Sequence, residues 1–267
     1  MPPMHTLRDR LTRGMVCSGP FLKIPDPVVT ELAGLAGFDF VVIDLEHSPF
    51  SMETTVGMVR AASARGIAAI VRVTDNAAPE LSRALDTGAT GVIVPHVTEP
   101  EDAVAVVDRT RFHPVGSRGM DVYARAAGWG HLDRDTYMRA ANEETIVGVM
   151  VEGAGAVDHL DAIASVEGLD LLFIGPYDLS QSLGIPGQVT HPEVVGRIES
   201  AVKIAQSHDR VLGLYVDDVE AAERYSALGV QFIGMSNDAD ILRQAFCEIV
   251  ASTGDDAEID QDEPSGT

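Results

Sequence analysis

Eight short apolar runs recur along the chain, at residues 15–18, 40–45, 69–73, 91–97, 146–152, 169–175, 211–216 and 232–235. Most are nearly continuous in apolar residues, which suits strands covered on both faces. Between them lie stretches with a helical period, at 52–65, 78–86, 100–111, 192–207 and 219–228. Gly66, Gly88 and Gly229 stand where helices are capped. Strand–helix alternation repeated eight times predicts an α/β chain closed into a (β/α)8 barrel, a single domain over residues 1–250. A doubly wound sheet is the alternative, but no GxGxxG follows the first run. The spacing doubles once, between runs four and five. That stretch holds the 118–130 segment with the single tryptophan, Trp129, and Arg118 and Arg125, then a predicted helix at 134–143. A connection this long serves function or an interface, or covers the barrel bottom.

Composition narrows the partners. The 267 residues carry 19 basic and 41 acidic side chains, a net charge of −22. No basic face is on offer for nucleic acid or for an anionic membrane surface. The two cysteines, Cys17 and Cys247, cannot make a disulfide framework or a zinc–cysteine cluster. No apolar run is long enough to span a bilayer, and the first residues lack a signal-peptide core, so a cytoplasmic location is expected. Six acids between Asp255 and Glu263 mark residues 251–267 as an acidic, disordered tail. Only Lys23 and Lys203 are lysines, and the remaining bases are arginines. A salt-rich cytoplasm or a GC-rich genome accounts for that bias equally well.

In a (β/α)8 barrel the chemistry sits at the C-terminal ends of the strands. There the sequence places Asp44, Glu46 and His47, then Arg72, His96, Glu152, and Gly175, Tyr177 and Asp178. Asp44 lies inside an apolar run, where an unpaired carboxylate is costly; pairing with His47 would orient the imidazole as a base. Arg72 reads either as an anion clamp or as a counter-ion for the carboxylates. Glu152 and Asp178 either accept backbone N–H groups or share a divalent cation, and such a pair suits Mg²⁺ or Mn²⁺. His96 is the weakest candidate, as readily a satisfied strand-end histidine. Lys23 is expected in the loop after strand one and Lys203 within a helix, so neither stands where a Schiff-base lysine must.

The segments Phe38–His47, Val71-Arg72-Val73, Val151-Glu152 and, above all, Phe173-Ile-Gly-Pro-Tyr-Asp-Leu-Ser-Gln-Ser-Leu-Gly184 resemble the HpcH/HpaI aldolase family of metal-dependent pyruvate aldolases. The similarity runs from about Gly14 to Phe246. It implies reversible cleavage of a 4-hydroxy-2-oxo acid to pyruvate and an aldehyde through a metal-stabilised enolate. By the same resemblance Glu152 and Asp178 ligate the metal (Mg²⁺ or Mn²⁺, with Co²⁺ or Zn²⁺ as alternatives). Arg72 steadies the enolate oxygen, Gly175 and Tyr177 hold the pyruvate carboxylate, and His47 is the acid–base group. Asp44 and Asp86 are supporting carboxylates, although Asp86 closes a helix expected at the opposite end of the barrel. The family pattern also implies a hexamer, a trimer of dimers, with the helix at about 239–249 packed on a neighbour. Met150 stands where family members commonly carry a glutamine that contacts pyruvate. Two other functions stay open: a citrate- or malyl-CoA-type lyase, and a non-catalytic paralogue.

Overall fold

The computed structural model describes residues 6–252. Eight parallel strands follow one another around a closed barrel: β1 (Cys17–Leu22), β2 (Phe40–Asp44), β3 (Ala68–Arg72), β4 (Gly91–Val94), β5 (Ile146–Met150), β6 (Leu171–Ile174), β7 (Val211–Val216) and β8 (Phe232–Asn237). β1 pairs with β8 to close the ring. The strands are apolar on both faces because each face has its own core. Val41, Ile43, Val71, Val92 and Leu172 pack outward against the helices. Phe40, Ile70, Ile93, Phe173 and Phe232 fill the interior, where Phe40 stacks on Phe232 at 3.9 Å between ring centroids. Such an interior is a packed core and leaves only the two ends for polar chemistry.

The first strand is displaced from its expected place. The run 15–18 predicts a strand that ends at Ser18, ahead of the tripeptide Gly19-Pro20-Phe21. In the barrel this tripeptide is strand: a Cβ on Gly19 would lie 2.0 Å from the Phe40 carbonyl oxygen, so only glycine admits β2 at this distance. The β1–β8 register shifts between Gly19 and Phe21, which accommodates Pro20. The strand therefore runs on to Leu22, and Lys23 follows directly at the barrel mouth.

Around the barrel, helices occupy the five stretches their periodicity predicts, and a further one spans Pro27–Ala36; Asp26, Ser51 and Asp218 accept at N-caps. A helix at Leu7–Thr12 buries Leu7 and Leu11 against the interior cluster at the N-terminal end. In the long connection, a 3₁₀ turn at Arg125–Gly130 precedes a helix at Arg134–Glu144. Arg118 and Arg125 do not reach outward. Arg118 pairs with Asp86 at 2.7 Å, and Arg125 donates to the Thr87 carbonyl at 2.8 Å, so the segment covers the N-terminal rim. The last helix, Asp238–Ser252, includes positions 251 and 252. The rest of the expected tail lies outside the described residues. Among those described, no helix is long and apolar enough to cross a membrane.

Candidate active site

β2 ends at Asp44 and β3 at Arg72, and the strand register places the two side by side. Arg72 grips Asp44 bidentately, Nε to Oδ1 at 2.8 Å and Nη2 to Oδ2 at 2.7 Å. Lys23 makes a second ion pair with Asp44 Oδ2. Burial alone would push the Asp44 carboxyl up, but Arg72 and Lys23 outweigh it and hold the group below the ordinary carboxylate range. Burial likewise acts to lower Arg72, and Asp44, Glu46 and Glu152 reverse it, so the guanidinium is raised above its ordinary value. Its remaining nitrogen, Nη1, lies 3.0 Å from Glu46 Oε2 and 3.6 Å from the Met150 sulfur. Methionine thus occupies the inner wall beside Arg72 without adding a strong donor.

Glu46 and Glu152 converge on His96. The imidazole places Nε2 3.1 Å from Glu46 Oε1 and Nδ1 3.1 Å from Glu152 Oε1, while its backbone N–H donates to the same Glu152 oxygen at 3.0 Å. His96 adopts φ +59°, the left-handed conformation that turns both its N–H and its ring toward Glu152. Burial pushes the Glu152 carboxyl up; the His96 N–H opposes this, and the charges of Asp178 and Glu46 add to it.

Gly175 completes the site. A Cβ there would lie 3.0 Å from Asp178 Oδ2, 3.7 Å from Met150 Cε and 3.8 Å from Glu152 Oε2. The two carboxylates therefore face one small space that any larger residue would fill. Asp178 has no cation within ion-pair distance among the described residues, and Glu46 Oε2 has no partner in hydrogen-bond geometry. Around this space stand four carboxylates, Asp44, Glu46, Glu152 and Asp178, against two permanent cations, Lys23 and Arg72. A divalent cation fits both the donor chemistry and the excess charge. Glu46, His96 and Glu152 also form a set whose ligand atoms lie within 4.8 Å of one another.

Several expectations change. Asp44 does not orient the His47 imidazole: its carboxylate is taken by Arg72 and Lys23, and it accepts only the backbone N–H groups of Glu46 and His47, at 3.1 and 3.3 Å. The His47 ring is 62% exposed, with Nε2 3.8 Å from Glu46 Oε2. Asp86 is absent from the mouth, because it closes its helix at the other end and holds the buried Arg118. Lys23 belongs to the mouth, so its position no longer excludes it from the chemistry. Its Nζ is engaged on the Asp44 carboxylate. Glu46 and His96 enter the site more centrally than their sequence positions suggest.

An excess of carboxylates around one pinned arginine, at the open end of a (β/α)8 barrel, defines a small-molecule enzyme. The model of the HpcH/HpaI aldolase/citrate lyase family matches residues 18–245, and the chain belongs to that family as a carbon–carbon lyase. It is 35% identical over 227 residues to a 5-keto-4-deoxy-D-glucarate aldolase of Citrobacter koseri, covering 85% of this chain and 88% of the relative. It is 33% identical to a 2-keto-3-deoxy-L-rhamnonate aldolase of Klebsiella pneumoniae, covering 96% and 95%. Among solved structures, the citrate synthase SbnG superposes with a TM-score of 0.85 at 34% identity, covering 93% of this chain and 97% of that one.

Proposed function

We propose that this enzyme reversibly cleaves a 4-hydroxy-2-oxo acid to pyruvate and an aldehyde, with a divalent cation held by Glu152 and Asp178. The observation that carries the site assignment is the convergence of Glu152 Oε2 and Asp178 Oδ2 on the space at Gly175, next to Arg72. An all-oxygen pair favours Mg²⁺ or Mn²⁺, and the nearby His96 keeps Co²⁺ and Zn²⁺ as alternatives. When bound, the cation supplies electrophilic polarisation of the keto oxygen.

The chain's own residues do the rest. Cleavage breaks the C3–C4 bond: a base takes the 4-hydroxyl proton, C4 leaves as an aldehyde, and the electron pair remains on C3 as pyruvate enolate. Arg72, immobilised by Asp44, lines the cavity and stabilises the developing enolate oxygen. His47, an exposed imidazole at the mouth beside Glu46, takes the hydroxyl proton and returns a proton to C3, which converts the enolate to pyruvate. The backbone at Gly175 and Tyr177 seats the pyruvate carboxylate. Asp44 acts through Arg72, and through the backbone of residues 46 and 47, to place both groups. Asp86 has no part at this mouth.

Pyruvate release from a 4-hydroxy-2-oxo acid, coupled to lactate dehydrogenase, is the test. Activity should vanish in EDTA, return with Mg²⁺ or Mn²⁺, and be lost in Glu152→Ala and Asp178→Ala. Full activity in either variant overturns the metal assignment. Turnover of CoA thioesters in its place would favour the citrate- or malyl-CoA-type lyase. Calorimetry showing binding of neither metal nor pyruvate would favour a non-catalytic paralogue.

An oligomer in the cytoplasm completes the proposal. Ile241, Leu242, Phe246 and Ile249 are exposed on the last helix, an apolar face suited to a second copy of the chain in a hexamer. A monomer by scattering at working concentration would contradict it.

A further inference from the structure

The cavity at the mouth extends well past the catalytic cluster. It has a volume of about 390 Å³ and runs from Arg72, Gly175 and Asp178 to a far wall of Tyr177, Tyr215, Asp217, Asn237 and Asp240. This wall comes from the turn after β6 and from the ends of β7 and β8. The Tyr177 hydroxyl donates to Asp217 Oδ2 at 2.9 Å, and its ring stands edge-on to Tyr215 at 6.2 Å. The Asn237 amide reaches the Tyr215 hydroxyl at 3.5 Å. Arg243 and Gln244 hold Asp240, whereas Asp217 has no cation within ion-pair distance among the described residues.

The two ends of the cavity therefore differ in charge. Both cations that line it, Lys23 and Arg72, are at the inner end and are tied to Asp44. At the outer end stand two carboxylates, two phenols and an amide.

We infer that this wall is the aldehyde subsite, and that it selects neutral, hydroxylated aldehydes over aldehydes carrying a carboxylate. The inference rests on the aldolase reading above. A pyruvate anchored at Gly175 and Arg72 leaves the Tyr177–Asp217 side for its reaction partner. Hydroxyl groups there donate to Asp217 and accept from Tyr177 or Asn237, and a site built to pair hydroxyls rejects analogues that cannot. A carboxylate in the same place meets Asp217, which no cation offsets among the described residues, and the like charges repel.

Glyceraldehyde and tartronate semialdehyde make a matched pair, differing by CH₂OH against COO⁻. Condensation of each with pyruvate gives two kcat/KM values. Exchange of pyruvate methyl protons with D₂O, followed by NMR without aldehyde, reports enolate formation independently. The expected preference for glyceraldehyde is at least ten-fold. It should shrink several-fold in Asp217→Asn, and also in the unmodified enzyme as KCl is raised. Exchange with equal use of both aldehydes, or preference for tartronate semialdehyde, overturns the inference and leaves the aldolase reading intact. A preference indifferent to both Asp217→Asn and salt removes its assignment to this wall. Absence of metal-dependent exchange overturns the aldolase reading, and this inference with it.

Discussion

At the N-terminal end of the barrel, Asp170 accepts from Arg8 at 2.6 Å, from Arg111 at 2.7 Å and from the Val147 backbone at 2.9 Å. Arg111 spends its other donors on the carbonyls of Asn142, Thr145 and Gly168. At the C-terminal end, Asp44 is satisfied as fully by Arg72 and Lys23, yet Glu46, Glu152 and Asp178 crowd the same space with only His96 and the one remaining Arg72 nitrogen to offset them. The same residue types serve two purposes. Hydrogen-bonded charge at the bottom holds elements together, whereas the excess of carboxylates at the mouth is a standing attraction for a cation and costs the unliganded fold.

The sharpest way to break this contrast is to remove the excess charge. Glu152→Gln and Asp178→Asn should each lower metal-dependent pyruvate release by about 10²–10³-fold or more. In EDTA, their melting temperatures should equal or exceed that of the parent enzyme, because a repulsion has been relieved. A clear loss of thermal stability in EDTA would mean that the mouth is built like the bottom.

Arg111→Met probes the opposite end. Removing a fully engaged buried guanidinium should cost about 3–5 kcal/mol in denaturant unfolding, and activity per folded molecule should survive. Unchanged stability would show that the bottom network is not what secures the barrel.

Asp44→Asn tests the part of the mouth that resembles the bottom, and about 3 kcal/mol of stability should be lost at neutral pH. Because the folded Asp44 carboxyl lies below its ordinary value of 3.8, its contribution is fully present above that value and disappears as pH falls through the lower folded one. The acid limb of the stability–pH curve should accordingly be shallower in the variant, as followed by circular dichroism. Identical limbs would assign the acid sensitivity elsewhere.

The smallest expected effect lies on the surface, outside both clusters. With a net charge of −22, screening should raise the melting temperature by a few degrees between dilute buffer and about 1 M KCl. A flat response would place the cost of the excess acid within the mouth alone.

Much of the site is legible in the chain because polar residues that end apolar runs have few other places to go. Asp44, Arg72, Glu152 and Asp178 were all visible in this way, and so was the count of eight strands. Which of them touch was not. Asp44 lies three residues from His47, yet it pairs with Arg72, 28 residues away, because adjacent parallel strands in register bring their ends together. Lys23 stands in the loop after the first strand, as expected, but its contact with Asp44 was not legible, because only the pairing of β1 with β2 brings the two together. His96 is unremarkable as a strand-end residue. Only its left-handed backbone puts the ring between Glu46 and Glu152.

The sequence by itself determined the barrel, and it placed carboxylates at the strand ends that form the mouth, because hydrophobic period and strand termini are local properties. Tertiary structure decided how those charges pair, that Asp86 lies at the far end with Arg118, and that Asp217 and Asp240 face the cavity. Closing eight strands into a ring sets distances between residues far apart in the chain, and electrostatics depends on those distances.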